Sequence, residues 1–323
     1  MKTNISNFAS RLAILLLAVC MTLSFAACSN DDSSDTNIDD ILSKETTPID
    51  FQLKEFYDRY KNYIIFDYAG DSYIGTDTLK SRTGTFNLRQ GKHHLLFIKG
   101  LYNNTYLNPN DMQKDFGKWY KGFHYDPLAK TITYYGDFYD GSSITYSEKD
   151  LEVFPYLLPV QEIDFDKFIT AQLCIEISDL PNNPIYPEWN SNYECWDDTS
   201  IGIIKGSPIV STVSINSNSY KTKDSKFGLI VDVYADTKYY HEKDLPKDKL
   251  IYYVRAANLL CPRDGLDNIQ LSVDIRDSNG QTVPTTTLPK VSLRRGCRTI
   301  LRGPLFTGST SDWKYEFEPM KTD

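Results

Sequence analysis

Thr170-Ala171-Gln172-Leu173-Cys174-Ile175-Glu176-Ile177-Ser178-Asp179-Leu180 gives the most direct view of the fold class of this chain. Its aliphatic residues stand at positions 173, 175 and 177, with Cys174 and Glu176 between them. A period of two is the spacing of side chains along one face of a β-strand. The stretch therefore predicts a strand that buries one face and exposes the other.

Similar runs recur along most of the chain, and turn residues separate them at intervals of about 8 to 12 positions. Tyr occurs 23 times and Phe 16 times, and aromatic residues suit half-buried strand surfaces. The sequence is therefore predicted to be all-β and to form β-sandwiches. The predicted strands are residues 63–68, 83–88, 94–98, 130–135, 143–146, 171–177, 201–205, 209–215, 228–235, 250–258, 269–276, 291–293, 299–301 and 313–317.

Two further signals come from the C-terminal region. The tetrapeptide 277–280 ends in Asn279-Gly280, which readily supplies the positive φ angles of a tight hairpin turn. In the last predicted strand, Trp313, Tyr315 and Phe317 alternate with charged residues. This alternation predicts that all three aromatic side chains lie on a buried face.

The N-terminus has the pattern of an export signal. Lys2 and Arg11 precede an apolar run that ends at Ala27, and Cys28 follows immediately. This order is typical of a bacterial lipobox, so Cys28 is predicted to carry lipid after removal of residues 1–27. The alternative is an ordinary secretory signal with a chance cysteine. The polar, acidic segment that follows resembles the tether of surface-exposed lipoproteins of the Bacteroidetes.

Length and charge limit the classes of partner. At 323 residues the chain fits two domains of about 100 to 160 residues each. Removal of the signal takes away Lys2 and Arg11 and no acid, so the net charge changes from −8 to −10. Such a chain repels phosphate backbones, and nucleic acid is not expected as a partner. The predicted division is 1–27 signal peptide, 28–45 lipidated flexible tether, 46–157 N-terminal β-sandwich and 158–323 C-terminal β-sandwich.

Four cysteines remain after the signal and the lipid-bearing residue are set aside. An even number in an exported domain permits two disulfides in three connectivities, which the sequence does not sort. The alternative is that they are buried thiols that pack as small hydrophobic groups. The candidates are Cys174, Cys195, Cys261 and Cys297.

Several blocks resemble the fimbrillin-type lipoproteins of the Bacteroidetes, and within them the fimbrial anchor subunits. In the first half these are the apolar run 63–70, which ends Phe-Asp-Tyr-Ala-Gly, and the segment 88–97, where Gly91 precedes a strand. In the second half, residues 170–180 and 288–303 are similar to an early and a late strand of the family. Gly296 departs from the pattern, since the family usually has Asn there.

This resemblance implies two tandem transthyretin-like β-sandwiches and a role in pilus assembly. It implies fimbrial subunits as partners, joined by strand exchange, and attachment to the outer membrane through the N-terminal lipid. In a shaft subunit of the family, an N-terminal strand is cut away to open a groove, whereas an uncut lipidated subunit stays at the membrane. Shaft and tip subunits remain alternatives to the anchor.

The sequence has few candidates for chemistry. It has no nucleophile elbow, no phosphate-binding glycine loop and no clustered metal-ligand spacing, so no catalytic residue, metal or cofactor is expected. Asp77-Thr78-Leu79 resembles the O-glycosylation pattern of exported Bacteroidetes proteins, with Thr78 as the acceptor. The loop aromatics Trp189, Tyr193 and Trp196 could form a sugar-stacking platform or cap the end of a sandwich. They support the alternative function, a glycan-binding surface lipoprotein of a polysaccharide-uptake system with a host or other glycan as ligand.

Overall fold

The computed structural model describes residues 38–56, 63–101, 122–135, 143–223, 227–277 and 279–321. Strand makes up 57% of the structure and helix 5%, which confirms the all-β prediction. In chain order the strands are β1 (Thr46–Leu53), β2 (Tyr63–Ala69), β3 (Ser72–Leu79), β4 (Thr83–Arg89), β5 (Gly91–Lys99), β6 (Gly122–Asp126), β7 (Thr131–Tyr135), β8 (Thr145–Val153), β9 (Gln161–Ile163), β10 (Lys167–Phe168), β11 (Thr170–Ile177), β12 (Glu188–Asn190), β13 (Cys195–Asp197), β14 (Thr199–Ser207), β15 (Ile209–Ser214), β16 (Tyr220–Lys223), β17 (Phe227–Ala235), β18 (Leu250–Val254), β19 (Ala257–Leu260), β20 (Leu266–Ile275), β21 (Val291–Leu293), β22 (Cys297–Gly303) and β23 (Lys314–Pro319).

In the part of the chain that the structure describes, helical structure is short and sparse. One α-helix, α1 (Ile38–Ile41), precedes the strands, and three-residue 3-10 helices cover Thr237–Tyr239, Lys247–Lys249 and Thr310–Asp312. Within the described ranges, no helix has the length and apolar character needed to span a membrane.

The strands form four sheets and a small separate hairpin. Sheet A has the order β4-β1-β9, and sheet B has the order β10-β8-β5-β2-β3. Sheet C is β16-β15-β7-β6, and sheet D runs β21-β20-β14-β17-β18-β11-β22-β23, with β19 paired to β11. The separate hairpin consists of β12 and β13. Most pairs are antiparallel, and the exceptions are β1 with β9 and β11 with β22.

The middle of sheet B is buried on both faces, which explains why β2 is apolar at six of its seven positions instead of alternating. Tyr63 and Ile65 point into one hydrophobic cluster together with Phe51 of sheet A. Ile64 and Phe66 point the other way, into a larger cluster that contains residues of sheets C and D. A strand with two buried faces needs apolar residues at successive positions, because neither face meets water.

Strand pairing crosses the predicted boundary between residues 157 and 158. Strand β7 from the first half pairs with β15 from the second half, with Ile132 opposite Val213. In the other direction, β9 pairs with β1, and β10 pairs with β8. The division into an N-terminal and a C-terminal sandwich is not visible as a break in the sheets, and the number of domains stays a prediction.

The folded part of the chain begins earlier than the predicted tether end at residue 45. Leu42 is 1% exposed and belongs to the buried core residues. Arg89 donates to the carbonyl oxygens of Leu42 and Ser43, and Ser43 donates its backbone N–H to the Gln90 carbonyl. The tether prediction is therefore wrong for residues 42–45, because one leucine and a set of backbone hydrogen bonds fix them against β4 and β5.

The predicted burial of the last strand is correct at one of three positions. Trp313 is 8% exposed, but Tyr315 is 36% exposed and Phe317 is 47% exposed. Strand β23 lies at the end of sheet D, where its single sheet neighbour among the described strands is β22. The alternation correctly identified the strand, but its aromatic face is only partly covered beyond Trp313.

Candidate interaction surfaces

The C-terminal strand β23 forms an open edge of sheet D. All six of its residues are exposed, and it pairs antiparallel with β22 from Arg302–Lys314 to Cys297–Pro319. The rings of Tyr315 and Phe317 lie 4.9 Å apart in an edge-to-face arrangement on the same side of the strand. An exposed edge strand with aromatic residues is a surface that another β-strand can extend.

The direction of the backbone groups of β23 follows from one hydrogen bond. Met320 donates its N–H to the carbonyl oxygen of Gly296 on the β22 side, at 2.8 Å. In an antiparallel pair, N–H groups face the partner at every second residue. Even-numbered residues of β23 therefore face β22, and the N–H groups of Tyr315 and Phe317 point toward the open edge.

Tyr315 also ties β23 to β21, a contact without a sequence signal. Its hydroxyl donates to the carbonyl oxygen of Ser292 at 2.6 Å and accepts the N–H of the same residue at 2.5 Å. Thr299 Oγ1 donates to the same carbonyl oxygen at 2.9 Å. Side chains of β22 and β23 thus satisfy backbone groups of β21, whose own ladder is short, and hold β23 in a defined position.

The N-terminal strand β1 lies in the centre of sheet A. It pairs with β4 over seven residue pairs and with β9 over three. Ile49, Phe51 and Leu53 are at most 1% exposed, and the Phe51 ring lies 5.5 Å from those of Phe86 and Phe97. Removal of β1 would uncover a long apolar groove, so the intact strand keeps this sandwich closed.

The structure brings two of the three predicted platform residues together. Trp189 on β12 lies opposite Trp196 on β13, with ring centroids 5.2 Å apart and planes at 74°. Tyr193 lies at the turn of the same hairpin and is 75% exposed. The Lys243 ammonium group lies 5.9 Å from the centroid of Trp189, so the hairpin carries an aromatic surface with a cation beside it.

A cavity of about 390 Å³ opens beside this hairpin. Trp196 forms one wall, and its indole N–H donates to the Glu242 carbonyl oxygen at 2.7 Å. Lys243 and Asp244 add polar groups at the rim. They come from a segment distant in the sequence, and no sequence pattern marked them as part of a site. The other lining residues are Tyr186, Leu245 and Pro246. An aromatic wall with one cation and one carboxylate can bind a small polar ligand that has an apolar face.

The four cysteines that could pair in disulfides are all free thiols in the structure. Cys195 and Cys261 are buried, and Cys174 and Cys297 are half-buried. Burial raises the pKa of the Cys261 thiol to about 12 and also raises that of Cys174. This arrangement fits the alternative of buried thiols that pack as small hydrophobic groups, since protonated thiols are poor nucleophiles.

The predicted modification sites have different outcomes. Cys28 lies outside the described residues. Thr78 lies half-buried on the edge strand β3, where Asp77 Oδ1 accepts its backbone N–H at 2.7 Å. Lipidation of Cys28 and glycosylation of Thr78 stay predictions.

The two adjacent histidines point to opposite faces of β5, as expected for a strand. His93 Nδ1 lies 2.7 Å from the Asp67 carboxylate, and Nε2 lies 2.6 Å from the Arg89 carbonyl oxygen. Burial lowers the pKa of His93, but these two acceptors outweigh it and raise the pKa above its ordinary value of 6.5. His94 lies near Asp150 and Glu148 on the other face. In the described part of the chain, no group of three or more His, Cys, Asp or Glu side chains is placed to hold a metal ion.

No protein-family model matches the sequence, and no curated protein matches it. Solved structures similar to the chain include the fimbrial anchor protein Mfa2 from Porphyromonas gingivalis, at 7% identity and a TM-score of 0.43, covering 80% of this chain and 90% of that one. The tip fimbrial protein Mfa3 from the same organism has 11% identity and a TM-score of 0.38, covering 85% and 99%. A fimbrial assembly protein from Parabacteroides distasonis has 12% identity and a TM-score of 0.38, covering 85% and 96%.

These three neighbours are fimbrial proteins, the class that the sequence blocks of the first and second halves resemble. Each of the three is at most 12% identical to this chain, with a TM-score below 0.5.

Proposed function

We propose that the chain is a non-enzymatic lipoprotein of the outer-membrane surface that serves as a fimbrial anchor or accessory subunit. In this proposal it joins other fimbrial subunits through β-strand complementation and is held at the membrane by lipid on Cys28. The observation that carries the proposal is the open edge of β23, with its outward N–H groups at Tyr315 and Phe317. A partner strand that pairs with this edge extends sheet D by one strand.

The position of β1 supports an anchor over a shaft subunit. A shaft subunit of the resembled family opens its groove by loss of an N-terminal strand, whereas β1 is paired on both sides and buries Phe51. Because Cys28 precedes β1 in the sequence, a cut that removes β1 also removes the lipid. An uncut chain therefore keeps both the lipid and a closed sheet A, and offers β23 to a growing fibre.

A pair of substitutions at one position tests the strand complementation. Phe317→Pro removes an outward N–H, whereas Phe317→Ala removes the same ring and keeps the N–H. Proline at this position leaves the ladder to β22 intact, because that N–H does not face β22. We expect Phe317→Pro to abolish co-purification with fimbrial subunits and Phe317→Ala to retain most of it. Equal recovery of subunits with both variants and the wild type would refute complementation at β23.

Membrane attachment has its own test. Cys28→Ala should release the protein from the membrane fraction, with the folded part unchanged by circular dichroism. A variant that stays in the membrane fraction and still takes up a palmitate analogue would show that another residue carries the lipid. This outcome would leave the β23 result untouched.

A second candidate function rests on the Trp189–Trp196 pair and the cavity beside it: binding of a glycan at the cell surface. The observation in its favour is that the two tryptophans lie against each other on one hairpin, and that a segment distant in sequence completes a cavity beside them. Trp189→Ala is the preferred variant, because Trp196 also holds the Glu242 carbonyl. Retarded migration of the wild type in polysaccharide affinity gels, lost in Trp189→Ala but kept in Tyr193→Ala, would support it. Unretarded migration of the wild type in host and microbial glycans would refute it.

A further inference from the structure

The connection between β8 and β9 is an exposed apolar loop, which we call the proline loop (residues 154–160, Phe-Pro-Tyr-Leu-Leu-Pro-Val). Leu157 is 77% exposed, Tyr156 is 60% exposed and Val160 is 53% exposed. Leu158 is half-buried and packs against the hydrophobic cluster that contains Phe51. The loop is therefore anchored from below while three apolar side chains face outward.

The backbone of the proline loop already has partners for two of its carbonyl groups. Thr47 Oγ1 donates to the Phe154 carbonyl oxygen at 2.7 Å, and Gln161 Nε2 donates to the Pro159 carbonyl oxygen at 2.6 Å. Pro155 and Pro159 have no N–H to satisfy. With fewer backbone groups left to hydrogen-bond water, such a segment loses less hydration free energy when it enters an apolar phase.

The aromatic side chains of the loop are also held in place. The rings of Phe154 and Tyr156 stack with centroids 5.2 Å apart and planes at 4°. Stacking and the two prolines limit the conformations of the free loop, so little freedom is lost when the loop meets a surface. A rigid apolar tip with a tyrosine hydroxyl suits the boundary between head groups and acyl chains.

The proline loop lies close to the place where the chain enters the fold. Thr47, which holds Phe154, is the second residue of β1, and the fixed segment 42–45 directly precedes that strand. Cys28 and Ile41 are thirteen positions apart in the sequence. Thirteen residues reach at most about 43–47 Å. The proline loop thus lies beside the residues at which the chain enters the fold.

We propose that the proline loop rests on the membrane surface and acts as a second, apolar contact that orients the lipid-anchored protein. This inference rests on lipidation of Cys28 in the proposed function. The occupant is the lipid bilayer and not a second copy of the chain. Three exposed side chains fall far short of the roughly 1,200–2,000 Å² that a stable protein interface buries.

The charges around the loop define the kind of lipid contact. Glu152, Glu162 and Asp164 flank the loop and are exposed, and Lys149 Nζ bonds the Glu162 carbonyl oxygen. Acidic flanks give no attraction to anionic lipids, so the contact depends on the apolar side chains. It therefore persists at high ionic strength, unlike contacts made by basic patches.

The test is hydroxyl-radical labelling of the lipidated protein on phosphatidylcholine vesicles, compared with the Cys28→Ala chain in solution. We expect labelling of Tyr156 and Leu157 to fall by about fivefold on vesicles, at low and high salt alike, because insertion into the interface removes most of their contact with water. Tyr193 is exposed on a different hairpin and should not change. The double variant Tyr156→Ser/Leu157→Ser should return the labelling of Val160 to its level in solution, whereas the control Tyr193→Ser should leave Val160 protected.

Each other outcome has a defined meaning. A chain that stays on vesicles with unchanged labelling of Tyr156 and Leu157 overturns the loop contact and leaves the lipid anchor standing. Protection that grows with the density of protein on the vesicles shows that another copy covers the loop, which also overturns the proposal. A chain that does not stay on vesicles at all overturns the lipid anchor and the loop contact together.

Discussion

The same substitution at two phenylalanines should have very different costs, because one lies in the core and the other on the open edge. Phe51 is 1% exposed and contacts two further aromatic rings at 5.5 Å, so Phe51→Ala should cost about 3–5 kcal/mol. Phe317 is 47% exposed and has the ring of Tyr315 as its aromatic neighbour. Half the transfer energy of a phenylalanine, with a modest aromatic pair, gives about 1–2 kcal/mol for Phe317→Ala.

Differential scanning calorimetry of the mature chain measures both costs. At about 2–4 °C of Tm per kcal/mol, Phe51→Ala should lower the Tm by roughly 10 °C, and Phe317→Ala by about 5 °C or less. Wild type and both variants are compared at the same concentration, since subunit association would raise the apparent stability. If the isolated Phe317→Ala protein melts as early as Phe51→Ala, then the face of β23 is covered and the open-edge model is refuted.

Three further substitutions test individual contacts of the fold. Arg255→Ala leaves the buried Asp232 carboxylate without its cation. The free energy of unfolding, measured by urea denaturation, should fall by roughly 2–3 kcal/mol, a modest cost because half of the arginine is exposed to water. An unchanged midpoint would contradict the ion pair. The wild type should keep the stability contributed by His93 fully below about pH 6.5 and lose it as the pH rises through the raised pKa. The difference in Tm from His93→Gln should therefore shrink as the pH rises above about 6.5, whereas a constant difference would argue against a charged pair with Asp67. Leu42→Ala should lower the free energy of unfolding by about 2–4 kcal/mol in thermal denaturation if the fold begins before residue 45. An unchanged stability would show that Leu42 belongs to the flexible tether.

Strands with strong apolar patterns were predictable from the sequence. The run at 63–69 is apolar on both faces and became a central strand of sheet B, and the alternation at 170–177 became β11 in sheet D. The turn at Asn279-Gly280 was also correct, with Gly280 at a φ of 76°. In these places local preference and tertiary packing favour the same conformation.

Two edge strands, β3 and β16, escaped prediction because most of their side chains are exposed or half-buried and so form no apolar pattern. Strand β3 reads Ser-Tyr-Ile-Gly-Thr-Asp-Thr-Leu and lies at the edge of sheet B, and β16 is exposed at all four positions. The predicted strand at 250–258 is two strands, β18 and β19, with a break at Arg255 and Ala256. The aromatic alternation of β23 could not show that the sheet ends there, since a period of two reports the strand and not the layer above it.

The candidate sites were predictable only where a residue type marks them. Trp189 and Trp196 stood out as loop aromatics, and the structure placed them on one hairpin within the predicted loop. Lys243 and Asp244 complete the cavity from a distant segment, which no local pattern reveals. The exposure of the proline loop has no sequence signal, since Pro155 and Pro159 bracket an apolar tripeptide whose exposure depends on how β8 and β9 return to their sheets.

The pairing of β7 with β15 has a consequence for the order in which the chain can fold. Thr133 and Thr212 lie side by side, although 79 residues separate them in the sequence. A chain that emerges from its N-terminus has β6 and β7 available as a bare hairpin long before β15 appears, and an isolated hairpin is marginally stable. Closing so long a loop is slow, and its unpaired edge and apolar face are exposed to other chains in the meantime. The pairing of β7 with β15 therefore forms only once both halves of the chain are available, and until then this edge of β7 is open to other chains.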